Sequence, residues 1–263
     1  MTDLASSFIL KTLHRTRGQN IIVLMSGGGG NGKTWVSVAM ASILADTGQK
    51  VLLFDGDLGL ANIDVQLGIT PYHDISGVLT LKVPMNKAII SYKTSGFDVI
   101  AGRSDTHSMQ SLDAGSIHLI KDDLMLLATH YDTLIVDLGS SSNLMTDLFS
   151  TGVGTILLFC TDEPTSLTGA YTMLKELAEK GRANKVGIVI NAVSSLKEGN
   201  RTYYTLIKAC DEFMKIPPPL VGVIREDMCV KQALDNRLSV FNAYPDCMAV
   251  KDIQHLIATL KKD

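Results

Sequence analysis

The glycine-rich loop at residues 26–34, SGGGGNGKT, constrains the fold of this chain more than any other feature of its sequence. An apolar run at residues 21–25 leads into the loop, and residues 35–45 behind it have helical character and stop before Gly48. Strand, loop and helix in this order place backbone N–H groups and a helix N-terminus around phosphate oxygens. The loop therefore predicts an α/β fold with a nucleoside triphosphate site.

Four positions of the loop match the phosphate-binding spacing GxxxxGK[ST], namely Gly27, Gly32, Lys33 and Thr34. Glycines let the backbone N–H groups turn inward, Lys33 is expected to reach the β and γ phosphates, and the Thr34 hydroxyl can ligate Mg²⁺. The competing interpretation is a flexible glycine-rich linker, which does not account for the strand and the helix on either side.

Apolar runs of strand length recur along the chain and are separated by stretches long enough for helices. The runs lie at residues 21–25, 51–54, 99–100, 133–136, 155–159, 186–190 and 220–224. This alternation is typical of an α/β P-loop NTPase, with a mostly parallel, doubly wound sheet, helices on both faces and ligands at the carboxyl ends of the strands. We expect residues 1–18 to form an N-terminal appendage and residues 19–263 to form a single domain.

Charge and composition argue against several classes of function. The net charge of -3 makes a general cationic surface for nucleic acid unexpected. The sequence has no run of 18 apolar residues and no start typical of a signal peptide, so we expect a cytoplasmic protein. The four cysteines are far apart and form no CxxC pair, so their spacing predicts neither a zinc site nor a disulfide framework.

Carboxylates follow two of the predicted strands at the edge where the loop would lie. Asp137 ends one run and is the expected magnesium-shell residue of the P-loop, acting through bound waters. Asp55 and Asp57 follow another run and, being two residues apart, point to one side of an extended chain. Asp57 could orient the attacking water while Asp55 supports the metal shell. The alternative for all three is an ordinary acidic turn residue.

Several longer segments then carry a family resemblance. They are LFDGDLGLANIDVQLGI at residues 53–69, TDEPTSLTGAY at 161–171 and GVIREDMCVKQAL at 222–234. Together with the loop, they resemble the deviant Walker A ATPases of the MinD/ParA group and, within it, the flagellar-number regulators called FlhG or FleN. The resemblance covers residues 20–255.

The resemblance implies a set of residues for ATP or ADP and Mg²⁺. The residues implied to contact the nucleotide are Gly29, Gly30, Asn31, Gly32, Lys33, Thr34, Trp35, Asn191 and Asp227. Thr34, Asp55 and Asp137 are the implied metal residues, and Asp57 and Lys33 are the implied catalytic ones. Asn191 would recognise adenine, because a side-chain amide offers both a donor and an acceptor. Its alternative role is that of a strand-end cap.

Two positions depart from the family pattern. Family loops typically read SGKGGVGKT, and alignment places their signature lysine at Gly28. In the family this lysine contacts the phosphates of the partner subunit, a charge-assisted contact of about 1.5 to 3 kcal/mol. We therefore expect local nucleotide binding to survive, while ATP-dependent dimerisation and hydrolysis are left open. Arg225 replaces a family proline, which predicts a less rigid placement of Glu226 and Asp227.

The resemblance also implies partners. These are a second copy of the chain in an ATP-dependent homodimer, an enhancer-dependent flagellar transcription activator and a signal-recognition-type GTPase at the cell pole. Two alternatives remain open: a nucleotide-binding scaffold that hydrolyses ATP poorly, and a partition protein like ParA that binds DNA nonspecifically. The acidic net charge disfavours the second alternative.

The C-terminal segment has apolar residues at helical spacing, namely Val250, Ile253, Leu256, Ile257 and Leu260. Such a helix either packs on the domain or docks on a membrane surface, as it does in some members of the resembled group. The segment lacks Phe and Trp, and amphipathic character more often means burial, so we expect packing. Peripheral contact with the inner membrane is the alternative.

Overall fold

The computed structural model describes residues 21–57, 61–81, 83–102, 114–139, 154–214 and 216–261. Within these ranges the centre of the fold is an eight-stranded sheet with the spatial order β3, β4, β2, β5, β1, β6, β7, β8. The strands are β1 Ile21–Ser26, β2 Val51–Asp55, β3 Ile89–Tyr92, β4 Phe97–Ile100, β5 Thr133–Asp137, β6 Thr155–Cys160, β7 Val186–Val193 and β8 Leu220–Arg225. All neighbouring strands are parallel except β3, which pairs antiparallel with β4.

Helices pack on both faces of this sheet, which confirms the doubly wound α/β prediction. The α-helices are α1 Lys33–Asp46, α2 Ile63–Leu67, α3 Ile75–Leu81, α4 Ala114–Ala128, α5 Pro164–Glu179, α6 Leu196–Cys210, α7 Met228–Asp235, α8 Val240–Ala243 and α9 Met248–Leu260. One hydrophobic core joins the sheet to α4, α5 and α6, and a second core joins it to α1, α8 and α9. Because both faces of the central strands are covered, those strands read as continuous apolar runs.

Strand β1 lies in the middle of the sheet between β5 and β6. The pairing sets Leu24 of β1 opposite Asp137 of β5, and Asp55 of β2 opposite the same aspartate. The glycine-rich loop therefore leaves the sheet at the edge where both carboxylates end. This is the position where open α/β sheets bind their ligands.

The C-terminal helix α9 packs on the domain, as expected. Its residues Val250, Ile253 and Leu256 are fully buried in the core, next to α1 and β8. The membrane-docking alternative for this face is wrong, because the apolar side chains that it requires are enclosed by the protein. In the part of the chain that the structure describes, no helix is long and apolar enough to cross a membrane.

The antiparallel edge strand β3 was not predicted from the sequence. Its residues Ile89–Tyr92 form a run too short to stand out from the turn that joins it to β4.

The predicted N-terminal appendage, residues 1–18, lies outside the described residues. The division of the chain into this appendage and a single domain at residues 19–263 stays a prediction.

Candidate nucleotide-binding site

A cavity of about 750 Å³ opens at the carboxyl edge of the sheet, next to the glycine-rich loop. The predicted site residues that line it are Gly29, Gly30, Asn31, Gly32, Lys33, Thr34, Trp35, Asp57, Asn191 and Asp227. The remaining two, Asp55 and Asp137, are buried at the ends of β2 and β5 and are not part of its lining. The fold thus gathers residues from distant parts of the chain around one cavity.

The backbone of the loop depends on glycine at two positions. Gly30 and Gly32 both have φ of 78°, the left-handed region that other residues rarely adopt. Gly32 directly precedes α1, and a Cβ placed on it would lie 2.3 Å from Nδ2 of Asn191 and 2.6 Å from Nε1 of Trp35. The loop, the half-buried Trp35 ring and the Asn191 amide are therefore in close contact around the start of the helix.

The first loop glycine also contacts helix α5. A Cβ on Gly27 would lie 1.9 Å from the carbonyl carbon of Gly169, so the two backbones touch directly. No side chain larger than hydrogen fits at either position without a shift. This contact explains why Gly27 is needed for packing as well as for loop geometry.

Lys33 supplies a buried cation beside the cavity. Its Nζ donates a hydrogen bond to Oγ of Ser26 at 2.7 Å, and that hydroxyl donates to the carbonyl of Gly28 at 2.6 Å. Burial lowers the pKa of Lys33, and the nearby carboxylates of Asp137 and Asp57 act in the opposite direction. The ammonium group is therefore held by the protein where a phosphate could take over as its partner.

Asp137 and Thr34 form the arrangement that a magnesium ion requires. The Thr34 side chain lies close enough to the Asp137 carboxylate to lower its pKa, while Oδ1 of Asp137 has no hydrogen-bond partner. Burial raises the pKa of Asp137 to about 6, and the Thr34 side chain and the Lys33 charge limit that rise. A hydroxyl and a carboxylate oxygen are the hard ligands that Mg²⁺ prefers.

Asp55 has a different environment from the one that the sequence suggested. Its Oδ1 accepts from the backbone N–H of Asp57 at 3.2 Å, and its Oδ2 accepts from those of Asn62 and Ile63, both at 3.1 Å. The side chain thus holds the segment after β2 and the start of α2. Both carboxylate oxygens of Asp55 therefore already accept hydrogen bonds from the backbone. Its role as a magnesium-shell carboxylate stays a prediction.

Asp57 lines the cavity and lies against Gly139, the second residue after β5. A Cβ on Gly139 would be 2.6 Å from Oδ1 of Asp57 and 2.8 Å from its Cγ. The contact between Gly139 and Asp57 could not be inferred from spacing in the sequence. The absence of a side chain at this position lets the carboxylate take its place.

We predict that Gly139→Ala lowers ATP turnover by at least about 10-fold and changes Mg-ATP affinity little. The added methyl displaces the Asp57 carboxylate, and a misplacement of about 1 Å is enough for a rate loss of this size. Steady-state turnover and calorimetric binding, measured on the same preparations, provide the check. The control is Gly28→Ala, because a Cβ at Gly28 meets nothing within 4 Å and this variant should bind Mg-ATP like wild type. Gly96→Ala is unsuitable as a control, because the positive φ of Gly96 would strain an alanine. Equal turnover of Gly139→Ala and wild type would contradict the prediction.

Asn31 and Asn191 lie together in the wall of the cavity. Nδ2 of Asn191 donates to the backbone carbonyl of Asn31 at 2.9 Å, and both side chains are buried. Nδ2 of Asn31, Oδ1 of Asn191 and Oδ1 of Asp137 are the buried side-chain polar atoms that have no hydrogen-bond partner among the described residues.

These three atoms match the needs of one ligand. Buried polar atoms in proteins are almost always paired, so a group of unpaired ones in one place marks a site that a ligand completes. An amide N–H suits a phosphate oxygen, a carboxylate oxygen suits Mg²⁺ or its water, and an amide oxygen suits the amino group of adenine. The residues present therefore fit a magnesium–adenine nucleotide.

The expected loosening at Arg225 is wrong. Its Nε and NH2 groups donate to the Asp252 carboxylate at 2.9 and 2.8 Å, and its backbone N–H, which a proline would lack, donates to the same group at 3.0 Å. The backbone N–H of Glu226 donates to the carbonyl of Val193 at 2.9 Å. These hydrogen bonds therefore restrain Arg225 and Glu226, as the rigid ring of a proline would.

Burial also makes the stability of the unliganded chain depend on pH. It raises the pKa of Asp55 to about 8 from 3.8, and the nearby Asp137 adds to the rise. Between pH 3.8 and about pH 8, Asp55 is protonated in the folded chain and ionised in the unfolded chain. The free energy of unfolding therefore falls as the pH rises toward 8. We expect a decrease of roughly 1 kcal/mol per pH unit between about pH 6 and 8. Urea unfolding at several pH values tests this, and Asp55→Asn should flatten the slope. An identical slope in that variant would contradict the assignment.

Comparison with known proteins gives matches along most of the chain. Residues 22–240 match the family model described as the CobQ/CobB/MinD/ParA nucleotide binding domain. The antiactivator FleN of Pseudomonas aeruginosa is 33% identical over 229 residues, which cover 86% of this chain and 80% of that protein. The flagellum site-determining protein YlxH of Helicobacter pylori is 26% identical over 91% of this chain and 81% of its own length.

Solved structures share the fold. One is the septum site-determining protein MinD of Pyrococcus horikoshii complexed with Mg-ADP, with a TM-score of 0.76 and 21% sequence identity. The similarity covers 93% of this chain and 96% of that chain. At this level of identity the match establishes the common architecture of the two chains.

Proposed function

This chain belongs to the CobQ/CobB/MinD/ParA nucleotide-binding family, and we propose that it is an ATP-binding switch that regulates flagellar number and placement. The family match and the relation to FleN confirm the resemblance inferred from the loop and strand-end motifs. The flagellar role is supported by two relatives whose names refer to flagellar regulation. We assign the protein to the cytoplasm.

The observation that carries the nucleotide assignment is the set of three unpaired buried atoms, contributed by Asn31 and Asn191 in the cavity lining and by Asp137 at the end of β5. They come from different elements of the sheet edge, and no local sequence effect brings them together. A packed protein interior without a ligand function would pair them or replace them with apolar groups. Their chemistry matches the phosphate, metal and base portions of a single nucleotide.

In the proposed complex each part of the nucleotide has its own partners. Backbone N–H groups of the loop and the start of α1 bind the phosphates, and the Lys33 ammonium compensates their charge. Thr34 and Asp137 hold Mg²⁺, which would supply charge stabilisation at the transferring phosphoryl group. Asn191 accepts from the adenine amino group. Trp35 and Asp227 complete the walls.

Hydrolysis is assigned to Asp57. Its carboxylate lies in the cavity lining and is positioned by the backbone N–H bond to Asp55 and by the contact with Gly139. In the proposed reaction it orients the water that attacks the γ phosphate. Turnover is slow in this proposal, because Gly28 provides no cation to a neighbouring subunit.

The regulatory role is tested by co-purification. The full chain is immobilised with Mg-ATP or Mg-ADP and offered the enhancer-dependent flagellar activator of the same cell, or the polar GTPase. We expect the activator to be retained more strongly with ATP, and the difference to be lost in Lys33→Met at nucleotide concentrations that saturate wild type but not the variant. Equal retention in both nucleotides would contradict a switch. Retention of duplex DNA by the ATP form would instead favour a partition protein.

A nucleotide-binding scaffold with little turnover is the second candidate, and one observation favours it. Gly28 stands where family loops carry their signature lysine, and a Cβ there meets nothing within 4 Å. The loop thus presents open space in place of a cation that would act on a second subunit. Light scattering in ATP distinguishes the two: a scaffold stays a monomer or a constitutive dimer, whereas a switch changes its mass with the nucleotide.

A further inference from the structure

A cluster of three metal-binding side chains lies beside the cavity, although the spacing of the cysteines in the sequence predicted no such site. One carboxylate oxygen of Asp227 and the Sγ atoms of Cys229 and Cys247 all lie within 4.8 Å of one another. Within the described residues, this is the group of histidine, cysteine and acidic side chains whose ligand atoms converge in this way. The two thiols are 18 residues apart in the chain, so only the fold brings them together.

The cluster is built from two helix starts that face each other. Asp227 directly precedes α7, Cys229 is the second residue of that helix, and Cys247 directly precedes α9. Oδ1 of Asp227 accepts from the backbone N–H of Cys229 at 3.0 Å, and its Oδ2 accepts from that of Ala249 at 3.3 Å. The carboxylate is therefore fixed between the two helices, with one thiol on each side.

The donor set is suited to a thiophilic divalent ion. Each carboxylate oxygen has two lone-pair directions, and the backbone bonds use one of each, so a further ligand bond is available. Two sulfur atoms and one oxygen are a combination that zinc accepts in tetrahedral geometry, with water in the fourth position. Magnesium and calcium prefer oxygen ligands and would be disfavoured by the thiols.

We propose that Asp227, Cys229 and Cys247 bind one zinc ion, which ties the N-terminus of α7 to that of α9. A disulfide between the two cysteines is the competing possibility. The geometry favours the metal, because a carboxylate oxygen lies within 4.8 Å of both Sγ atoms and a disulfide does not require a third ligand. All four cysteines of the described chain are free thiols.

The ion would act on the wall of the nucleotide cavity. Asp227, Val230 and Lys231 line that cavity, and all three belong to the segment that the ion anchors. Fixing α7 against α9 would hold this wall in one position when zinc is bound. This consequence rests on the proposed function, whereas zinc binding itself does not.

Cobalt provides a direct probe of the site. The full chain is freed of metal under reducing, oxygen-free conditions and titrated with Co²⁺, which gives a thiolate-to-metal charge-transfer absorption only when sulfur binds it. We expect saturation at one ion per chain and loss of the band when Zn²⁺ is added. Cys229→Ser and Cys247→Ser should each abolish the band and weaken zinc binding more than about 100-fold, since even indirect partners of metal ligands contribute 10- to 100-fold.

Matched variants separate the site from general effects of losing a thiol. Cys210→Ala removes a buried thiol at the end of α6 and should keep the band. Asp227→Asn keeps an oxygen that can cap a helix but loses the anionic ligand, and should weaken the binding of Co²⁺. Circular dichroism on each variant, and Mg-ATP binding by the three cysteine variants, establish that the fold and the nucleotide cavity remain.

Three outcomes would overturn the proposal. The first is a folded, reduced chain that shows no charge-transfer band with Co²⁺. The second is a band that persists in both single cysteine variants. The third is a disulfide between Cys229 and Cys247 that forms in a glutathione redox buffer in the presence of zinc, detected as a loss of two hydrogens by mass spectrometry. A chain that binds zinc but not ATP would instead reject the proposed function alone.

Discussion

Replacing Lys33 with methionine is expected to weaken Mg-ATP binding by at least about 100-fold, since a charge-assisted hydrogen bond contributes about 1.5 to 3 kcal/mol and this ammonium can make two. The side chain is 8% exposed and its Nζ lies within 2.7 Å of Ser26 Oγ in the loop, so the charge has a fixed position beside the cavity. Methionine keeps the length and the apolar stem of lysine. The loss should therefore report on the ammonium group alone.

Isothermal titration calorimetry with a non-hydrolysable ATP analogue measures this effect. Lys50→Met is the matched control, because Lys50 is exposed, contacts the Tyr131 ring and lies outside the cavity lining. A thermal unfolding curve of Lys33→Met verifies that the chain still folds. Equal affinity in Lys33→Met and wild type would show that the cavity does not bind phosphate through this loop.

Replacing Arg225 with alanine is expected to destabilise the fold by roughly 3 kcal/mol, because it leaves a buried carboxylate without its charged partner. The Asp252 side chain is 4% exposed, and its guanidinium partner is 26% exposed. The geometry is two-pronged, with NH2 of Arg225 on Oδ1 and Nε on Oδ2. In the alanine variant the backbone N–H of residue 225 still donates to the Asp252 carboxylate. The loss of folding free energy is therefore smaller than for a buried carboxylate without any partner.

Chemical denaturation of Arg225→Ala and of the double variant Arg225→Ala with Asp252→Ala tests the pair. The double variant should recover part of the lost stability, since it removes the uncompensated charge. Arg201→Ala, on the exposed face of α6, is the control for losing an arginine and should change stability by less than about 0.5 kcal/mol. A double variant less stable than Arg225→Ala would contradict this account.

The sheet and the phosphate loop could be predicted because their signals are local. A buried parallel strand reads as a continuous apolar run, and SGGGGNGKT needs its glycines at fixed offsets from Lys33. Asp137 could be placed at the loop for the same reason, since parallel strands end at a common edge. Gly48, with φ of 83°, was likewise visible as the end of α1.

The sequence did not predict side-chain contacts between residues that are distant in the chain. Asp252 lies 27 residues from Arg225, and Cys247 lies 18 residues from Cys229, so neither pairing has a spacing signature. The three bonds that Asp55 accepts come from the backbone N–H groups of Asp57, Asn62 and Ile63, and no spacing rule links these positions to its side chain. The packing of α9 was open because amphipathic spacing looks the same on a core and on a membrane.

Gly28 is the position from which we expect the largest difference in ATP hydrolysis between this chain and family members that carry the signature lysine. The cavity keeps a buried lysine, a hydroxyl and a carboxylate for the phosphates and the metal. The position that would reach a second subunit carries no side chain. We therefore expect the site to bind ATP and to hydrolyse it slowly.

Steady-state ATP turnover of wild type, Gly28→Lys and the double variant Gly28→Lys with Asp57→Ala tests this account most directly. The open space at Gly28 admits the lysine, and its φ is not in the positive range. We predict slow turnover in wild type, an increase of at least about 10-fold in Gly28→Lys from a restored charge-assisted contact, and loss of that increase in the double variant. Equal turnover in all three proteins would contradict the account.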